Sequence, residues 1–380
     1  MIKKYLSWKI ILFGFCVLVL ANCKIPYDPP VKSNQTNFLV VEGFIDGGAP
    51  TVMKISRTRI VSAGDTAKKN NELFASVFVE DDQGNSFRLQ ETGNGIYTSV
   101  NTLNLIPANK YHLRIVTANS KEYVSDAVPF KPSPEIDKIG WKLKDGGVQV
   151  FINTHDQNDA TKYYRWEYKE TWEFHSSYNS GLIYVPANNT VVTRTEQVFQ
   201  CWRSNYSSSI LLGSSAKLSH DVIEQAPLVY IEEHSQKLSV LYSILVKQYA
   251  LDINAYNYWE AMRNNTEKVG SIFDPQPNQT VGNIHCTTDA SEIVVGYIGA
   301  GSTLEKRFYI KNSELPANWN SYGMCETKDV TQDSIAIYFN GGYAPISQSM
   351  DPSGIVYNSS YVECVDCTLQ GTNIKPDFWP

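Results

Sequence analysis

Charge is scarce in this sequence. Only 19% of its 380 residues are Asp, Glu, Lys or Arg, and 39 acidic side chains outnumber 33 basic ones, for a net charge of −6. The basic excess of a nucleic-acid-binding protein is missing, so no nucleic-acid partner is expected. Histidine is scarce as well. His112, His155, His175, His220, His234 and His285 are all there is, and none takes metal-ligand spacing. There is no H-E-x-x-H, no G-x-S-x-G, no Walker loop and no dinucleotide glycine pattern. No catalytic residue, cofactor or metal is therefore assigned. His155-Asp156-Gln157-Asn158-Asp159 opens like a calcium loop, but Ala160 stands where a third ligand is needed and no Gly follows. A glycosidase carboxylate pair is defined by a separation in space that a sequence does not carry, so a hydrolase stays as a third reading.

Long apolar runs are absent beyond the first residues, which excludes a later membrane-spanning helix. Seven cysteines are too few for a scaffold held by disulfides alone. What is abundant is apolar and aromatic: 42% hydrophobic, with 23 Tyr and 8 Trp. That composition supports a packed core and leans towards strands. The length suits two or three domains.

Met1–Ala21 reads as an export leader. Lys3, Lys4 and Lys9 precede a short apolar run, Ile10–Ala21. Leu20-Ala21-Asn22-Cys23 resembles a bacterial lipobox, with Asn22 departing from the usual small residue. Cys23 is then the lipidation site, and several acyl chains give durable anchoring. Lys24-Ile25-Pro26-Tyr27-Asp28-Pro29-Pro30 reads as a stiff tether.

Four β signals follow. Asp81-Asp82-Gln83-Gly84-Asn85 and Asp145-Gly146-Gly147 are hairpin turns. Tyr111, Leu113 and Ile115 alternate with His112 and Arg114. Leu105-x-Pro107-x-x-x-Tyr111 resembles the tyrosine corner of immunoglobulin-like sandwiches. Lys131-Pro132-Ser133-Pro134 marks a boundary. Beyond it, Tyr164, Trp166, Tyr168, Trp172 and Phe174 share one face of a long strand, with Arg165, Glu167, Lys169 and Glu173 on the other. Such a stripe is a core face or a stacking platform. Leu238–Leu251 is a further, more apolar strand. Asp252 caps a helix whose apolar positions step through Ala255, Tyr258 or Trp259, and Met262, with Gly270 able to end it. Trp202, Trp319 and Trp379 sit among Asn, Ser and Pro and are candidate exposed ligand contacts. Asp65-Thr66-Ala67 and Asp333-Ser334-Ile335 match a short O-glycosylation motif.

After Cys23 the cysteines are Cys201, Cys286, Cys325, Cys364 and Cys367. In an exported chain these read first as disulfides. Five is odd, so one thiol is left over. Pairing does not follow from spacing. The expectation is that Cys364 and Cys367 belong to separate bridges with Cys201 and Cys325 as partners, leaving Cys286 free.

Several segments in order then carry a resemblance. They are Cys201-Trp202-Arg203-Ser204, Tyr242–Tyr249, Tyr256-x-Tyr258-Trp259, Gly270–Pro277 with Gly282-Asn283-Ile284, Cys364-x-x-Cys367, and Lys375-Pro376-Asp377-Phe378-Trp379. Together they resemble the Bacteroidota outer-membrane lipoproteins grouped as domain of unknown function 4249, most strongly from Cys201 to Trp379. The resemblance implies a place beside a TonB-dependent receptor and assigns no catalytic residue.

The expected architecture is all-β. Residues 1–22 form a leader and 23–36 a lipidated tether. Residues 37–131 form an immunoglobulin- or fibronectin-like sandwich. Residues 132–380 form a larger β domain with one helix near 252–269. The expected function is non-enzymatic: a lipid-anchored outer-membrane protein, exposed at the cell surface, that captures a glycan or peptide ligand for a TonB-dependent transporter or covers its mouth. The alternative is a stand-alone glycan-binding or adhesive lipoprotein.

Overall fold

The period-two alternation of Tyr111, Leu113 and Ile115 is realised in the strand Lys110–Val116, where all three are buried. It pairs antiparallel with Ser76–Asp81, setting Leu113 opposite Val79 and Ile115 opposite Val77. The computed structural model describes residues 37–59, 70–267, 282–317, 319, 325–352 and 354–380. The leader, Cys23, the tether, Asp65-Thr66-Ala67 and Gly270 lie outside them. The described chain is mostly β, in several sheets, with few helices, as expected. No described helix is long and apolar enough to cross a membrane.

The first body is a sheet that closes on itself. From Lys110–Val116 the hydrogen-bonded path runs through Ser76–Asp81, Ser86–Gly93, Ile96–Thr98, Val52–Arg57, Leu39–Asp46, Ala300–Ser302 and Val128–Pro132, which pairs back to Lys110–Val116. Closure removes free strand edges. Inside lie Leu39, Val41, Ile55, Val77, Leu113 and Tyr123. The corner forms: the Tyr111 hydroxyl donates to the Ile106 carbonyl at 3.1 Å and accepts from the Ile106 N–H at 2.5 Å. The turn at residues 81–85 forms too, its amides capped by Asp81.

One expectation needs correcting here. A division at residue 131 does not describe this body, because Ile284–Cys286, Val294–Val295 and Ala300–Ser302 all join its sheet. Ala300–Ser302 lies parallel to both its neighbours, Leu39–Asp46 and Val128–Pro132. Parallel neighbours need a long crossover, and here the crossover is the greater part of the second body. Residues 38–380 accordingly cluster as one compact unit.

The second body is a sandwich. Ile136–Lys144, Gly147–His155 and Val222–Glu232 form one sheet. Gln200–Tyr206, Tyr163–His175, Leu241–Leu251 and Leu304–Lys311 form the other, with Leu211–Ser214 added to Tyr163–His175. Val148, Val150 and Ile152 meet Tyr164, Trp166, Phe174, Ile244 and Val246 in the core between them. The aromatic stripe is thus a core face, not a stacking platform. The strand expected from Leu238 begins at Leu241, since Gln236–Leu238 is a 3₁₀ turn. A smaller sheet of Lys328–Thr331, Gly354–Tyr361 and Tyr343–Asp351 packs with the hairpin Leu182–Val185/Thr190–Thr193. No pattern read from the sequence had singled it out.

The helix forms at Ile253–Glu267. Asp252 caps it, its carboxylate accepting the Ala255 N–H at 2.7 Å.

Candidate functional site

Tyr164, Trp166, Trp172 and Phe174 enter the core, with Tyr168 half-buried against it, while Arg165 and Glu167 between them face outward. Register then decides which groups meet. Arg165 lies opposite Tyr249 and Glu167 opposite Lys247. On the first body, Leu39 and Val41 point inward, which turns Glu42 and Phe44 outward. Glu42 pairs across to Lys54. The helix brings Tyr258 and Trp259 over this junction. The result is a cleft of about 510 Å³ between the two bodies. A second lobe of about 600 Å³ shares Glu42, Arg165, Glu167, Lys247 and Trp259 with it. Both volumes suit a small-ligand cleft, about 300–1,000 Å³.

Arg165 is the centre. Its guanidinium lies 4.1 Å from the Tyr249 ring centroid and 4.3 Å from that of Trp259, a cation held between two π faces. Its Nη1 donates to Glu167 Oε1 at 2.6 Å, and the Tyr249 hydroxyl donates to Glu167 Oε2 at 2.7 Å. Both Glu167 oxygens are therefore engaged. Lys247 Nζ lies 3.5 Å from Asp46 Oδ2. Asp46 also accepts from the Gly48 and Thr303 amides, at 2.8 and 3.0 Å, and from the Thr303 hydroxyl. The charged groups of the first lobe thus neutralise one another in pairs, whereas Lys169 and Glu305, which line the second, make no ion pair among the described residues.

Around them stand rings. Phe44 meets Tyr249 edge-on at 5.2 Å, and Tyr258 lies 5.2 Å from Tyr297 and 5.5 Å from Trp259. Burial raises the phenol pKa values of Tyr249, Tyr258 and Tyr297. For Tyr249 the Glu167 charge adds to this. Burial, with Glu170 nearby, pushes Tyr168 in the second lobe up to about 12. All four stay protonated and able to donate at physiological pH.

The three tryptophans expected as exposed contacts are instead buried, with relative exposures of 4, 6 and 6% for Trp202, Trp319 and Trp379. Trp202 lies in the strand beside Cys201 and exchanges backbone hydrogen bonds with Thr372 at 2.8 and 2.9 Å. Trp319 packs in the second core. Trp379 donates its indole N–H to the buried Glu173 carboxylate at 2.9 Å. Polar neighbours in sequence suggested loops; each large ring had core to fill instead. Trp259 was visible as a step on the helix, Arg165 and Glu167 as a polar strand face. Their convergence had no signal, because the cross-strand register and the first body's outer face both lie far away in sequence.

The cysteines pair as Cys201–Cys367 and Cys325–Cys364, and Cys286 is buried and free. The sulfurs of Cys364-x-x-Cys367 are therefore occupied in bridges. Asp156 serves its own loop, accepting from the Asn158 and Thr161 amides at 2.9 Å each, so the calcium-like stretch is a turn. Among the described residues no three His, Cys, Asp or Glu side chains group as a metal site.

A family model described as Domain of unknown function (DUF4249) matches residues 24–307. Every residue named in the cleft falls inside that span. The segment from 308 onward, with Cys325, Cys364 and Cys367, falls outside it, so the match stops short of Trp379, to which the resemblance extends. No curated protein matches the chain.

Proposed function

The chain belongs to the DUF4249 family, and from that premise we propose that it is a non-enzymatic outer-membrane lipoprotein, anchored through Cys23, that captures a ligand for a TonB-dependent receptor. The cleft at Arg165 carries this reading. Its walls are aromatic, its charges are paired, and its volume suits a small ligand. Glu167, the carboxylate nearest its centre, accepts from both Arg165 and Tyr249. That arrangement stiffens a binding surface by holding each carboxylate oxygen in a hydrogen bond. The lipid anchor would hold the cleft at the membrane, where a ligand released from it reaches a receptor by short diffusion.

The test is a pull-down of the tagged full-length protein from detergent-solubilised outer membranes, read by mass spectrometry. The expected result is one TonB-dependent receptor in near-equal amount. Recovery of the lipoprotein alone overturns the transport partnership and leaves independent surface binding. The anchor has its own test. Cys23→Ala should leave the membrane fraction, and a variant that stays there removes Cys23 from that role.

A further inference from the structure

We propose that the cleft takes a neutral oligosaccharide, with a sugar ring against Trp259 and its hydroxyls hydrogen-bonded to Tyr258, Tyr297 and Tyr168. This deepens the capture reading and rests on it.

The charges of the first lobe are all paired. Arg165 pairs with Glu167, Lys247 with Asp46 and Lys54 with Glu42. In the first lobe, where every charged side chain belongs to one of these pairs, a ligand of either sign would have to break a pair or sit against its like charge, at a cost in desolvation and lost hydrogen bonds. An uncharged ligand disturbs none of them. The donors in the cleft without a hydrogen-bond partner among the described residues include the hydroxyls of Tyr168, Tyr258 and Tyr297, the indole N–H of Trp259 and the buried Nε of Arg165, all on residues lining it or its second lobe. A wholly apolar ligand would strand these donors away from water. A hydroxyl-rich ligand satisfies them, and the raised phenol pKa values keep them donating.

Shape adds a second point. Arg165 props the Trp259 and Tyr249 rings apart at fixed distances, so the rings are held before any ligand arrives. Pre-positioned rings lower the ordering cost of binding. An extended peptide would recognise this protein through a free strand edge. The three main strands beneath the first lobe offer none. Tyr163–His175, Leu241–Leu251 and Leu39–Asp46 are each paired on both sides.

The experiment is affinity electrophoresis of the full-length protein in detergent. The gels hold soluble starch, galactomannan, xyloglucan or mixed-linkage β-glucan as neutral polymers, and alginate or polygalacturonate as acidic ones. The expected result is retardation by a neutral polymer. Trp259→Ala should weaken it by about tenfold or more, as for a tryptophan anchor. Tyr297→Phe, which removes one oxygen and leaves the ring, should weaken it by about two- to tenfold at unchanged melting temperature. Retardation only by acidic polymers, none by any polymer, or undiminished retardation in both variants overturns the proposal. This outcome is separable from that of the pull-down. A co-purifying receptor with no neutral-glycan binding sinks the ligand class alone. Neutral-glycan binding without a receptor sinks the transport partnership and leaves the ligand class standing.

Discussion

The two β bodies are closed by different means. The first is closed by backbone hydrogen bonds, its ring completed by Ala300–Ser302 lying between Leu39–Asp46 and Val128–Pro132. Its described cysteine, Cys286, is unpaired. The second carries the Cys201–Cys367 bridge in its core, across 166 residues. Cys325–Cys364 spans 39 more locally. The difference follows from topology. A ring of strands fulfils its own edge hydrogen bonds, whereas an open two-sheet sandwich still presents edges and long loops. A covalent tie acts on those loops by limiting the unfolded chain.

Four perturbations should separate the two bodies. The largest expected effect comes from removing the long bridge. For a loop of 166 residues, chain-entropy reasoning assigns a loss of about 5 kcal/mol to Cys201→Ser with Cys367→Ser. Hydrogen exchange should show it first at Gly147–His155, and equal loss of protection at Lys110–Val116 would mean the bodies unfold together. The next effect concerns the ring. A Cβ on Gly301 would lie 1.9 Å from the Lys131 carbonyl oxygen, so Gly301→Val should part the closing strands. The cost is expected at about 1–3 kcal/mol, with exchange protection lost at Leu39–Asp46 ahead of the second sandwich. Unchanged denaturant midpoints would show that the closure contributes nothing.

Tyr111→Phe is milder. It removes the hydroxyl tied to Ile106 and leaves the buried ring. About 1 kcal/mol should be lost, seen as a lower urea midpoint with the m-value unchanged.

The smallest effect is in pH, and its sign differs between the bodies. In the first, burial works against ionisation of Glu292, but Lys121, Tyr123 and Arg57 hold its carboxyl below the ordinary 4.5. A depressed carboxylate stabilises above its unfolded pKa and loses that contribution as pH falls through the folded one. In the second, the hydrogen bond to Asp137 raises His155 above its ordinary 6.5. A raised histidine contributes fully below 6.5 and loses the contribution as pH rises. His155 is exposed, so its share is small. Melting curves should show Glu292→Gln flattening the acid limb below pH 4.5 and His155→Ala flattening a shallow slope on the neutral side. An unaltered acid limb in Glu292→Gln would remove that ion cluster from the account.

Part of this architecture is legible in short windows. The turns at residues 81–85 and 145–147, the corner at Tyr111 and the Asp252 cap depend on residues a few positions apart, and their chemistry is local. Val294–Val295 and Ala300–Ser302 are two- and three-residue strands with no periodicity to read. They exist because the first ring leaves a gap that they fill. The buried tryptophans were misplaced for a related reason. Trp379 is held by Glu173, a partner on a strand far upstream, which its own neighbours do not announce. The third sheet, around Tyr357, likewise left no mark that stood out from loop composition.

The site divides along the same line. By itself the sequence determined an all-β chain, one capped helix, an aromatic strand with a charged reverse face, and family membership. Those properties follow from alternation, turn chemistry and composition, which act over a few residues. Only the tertiary structure decided that Arg165 faces Tyr249, that Trp259 closes over both, and that the first body supplies Glu42 and Asp46. Such contacts depend on strand register and on closure across most of the chain. Their free energy is gained only when many distant segments are in place together.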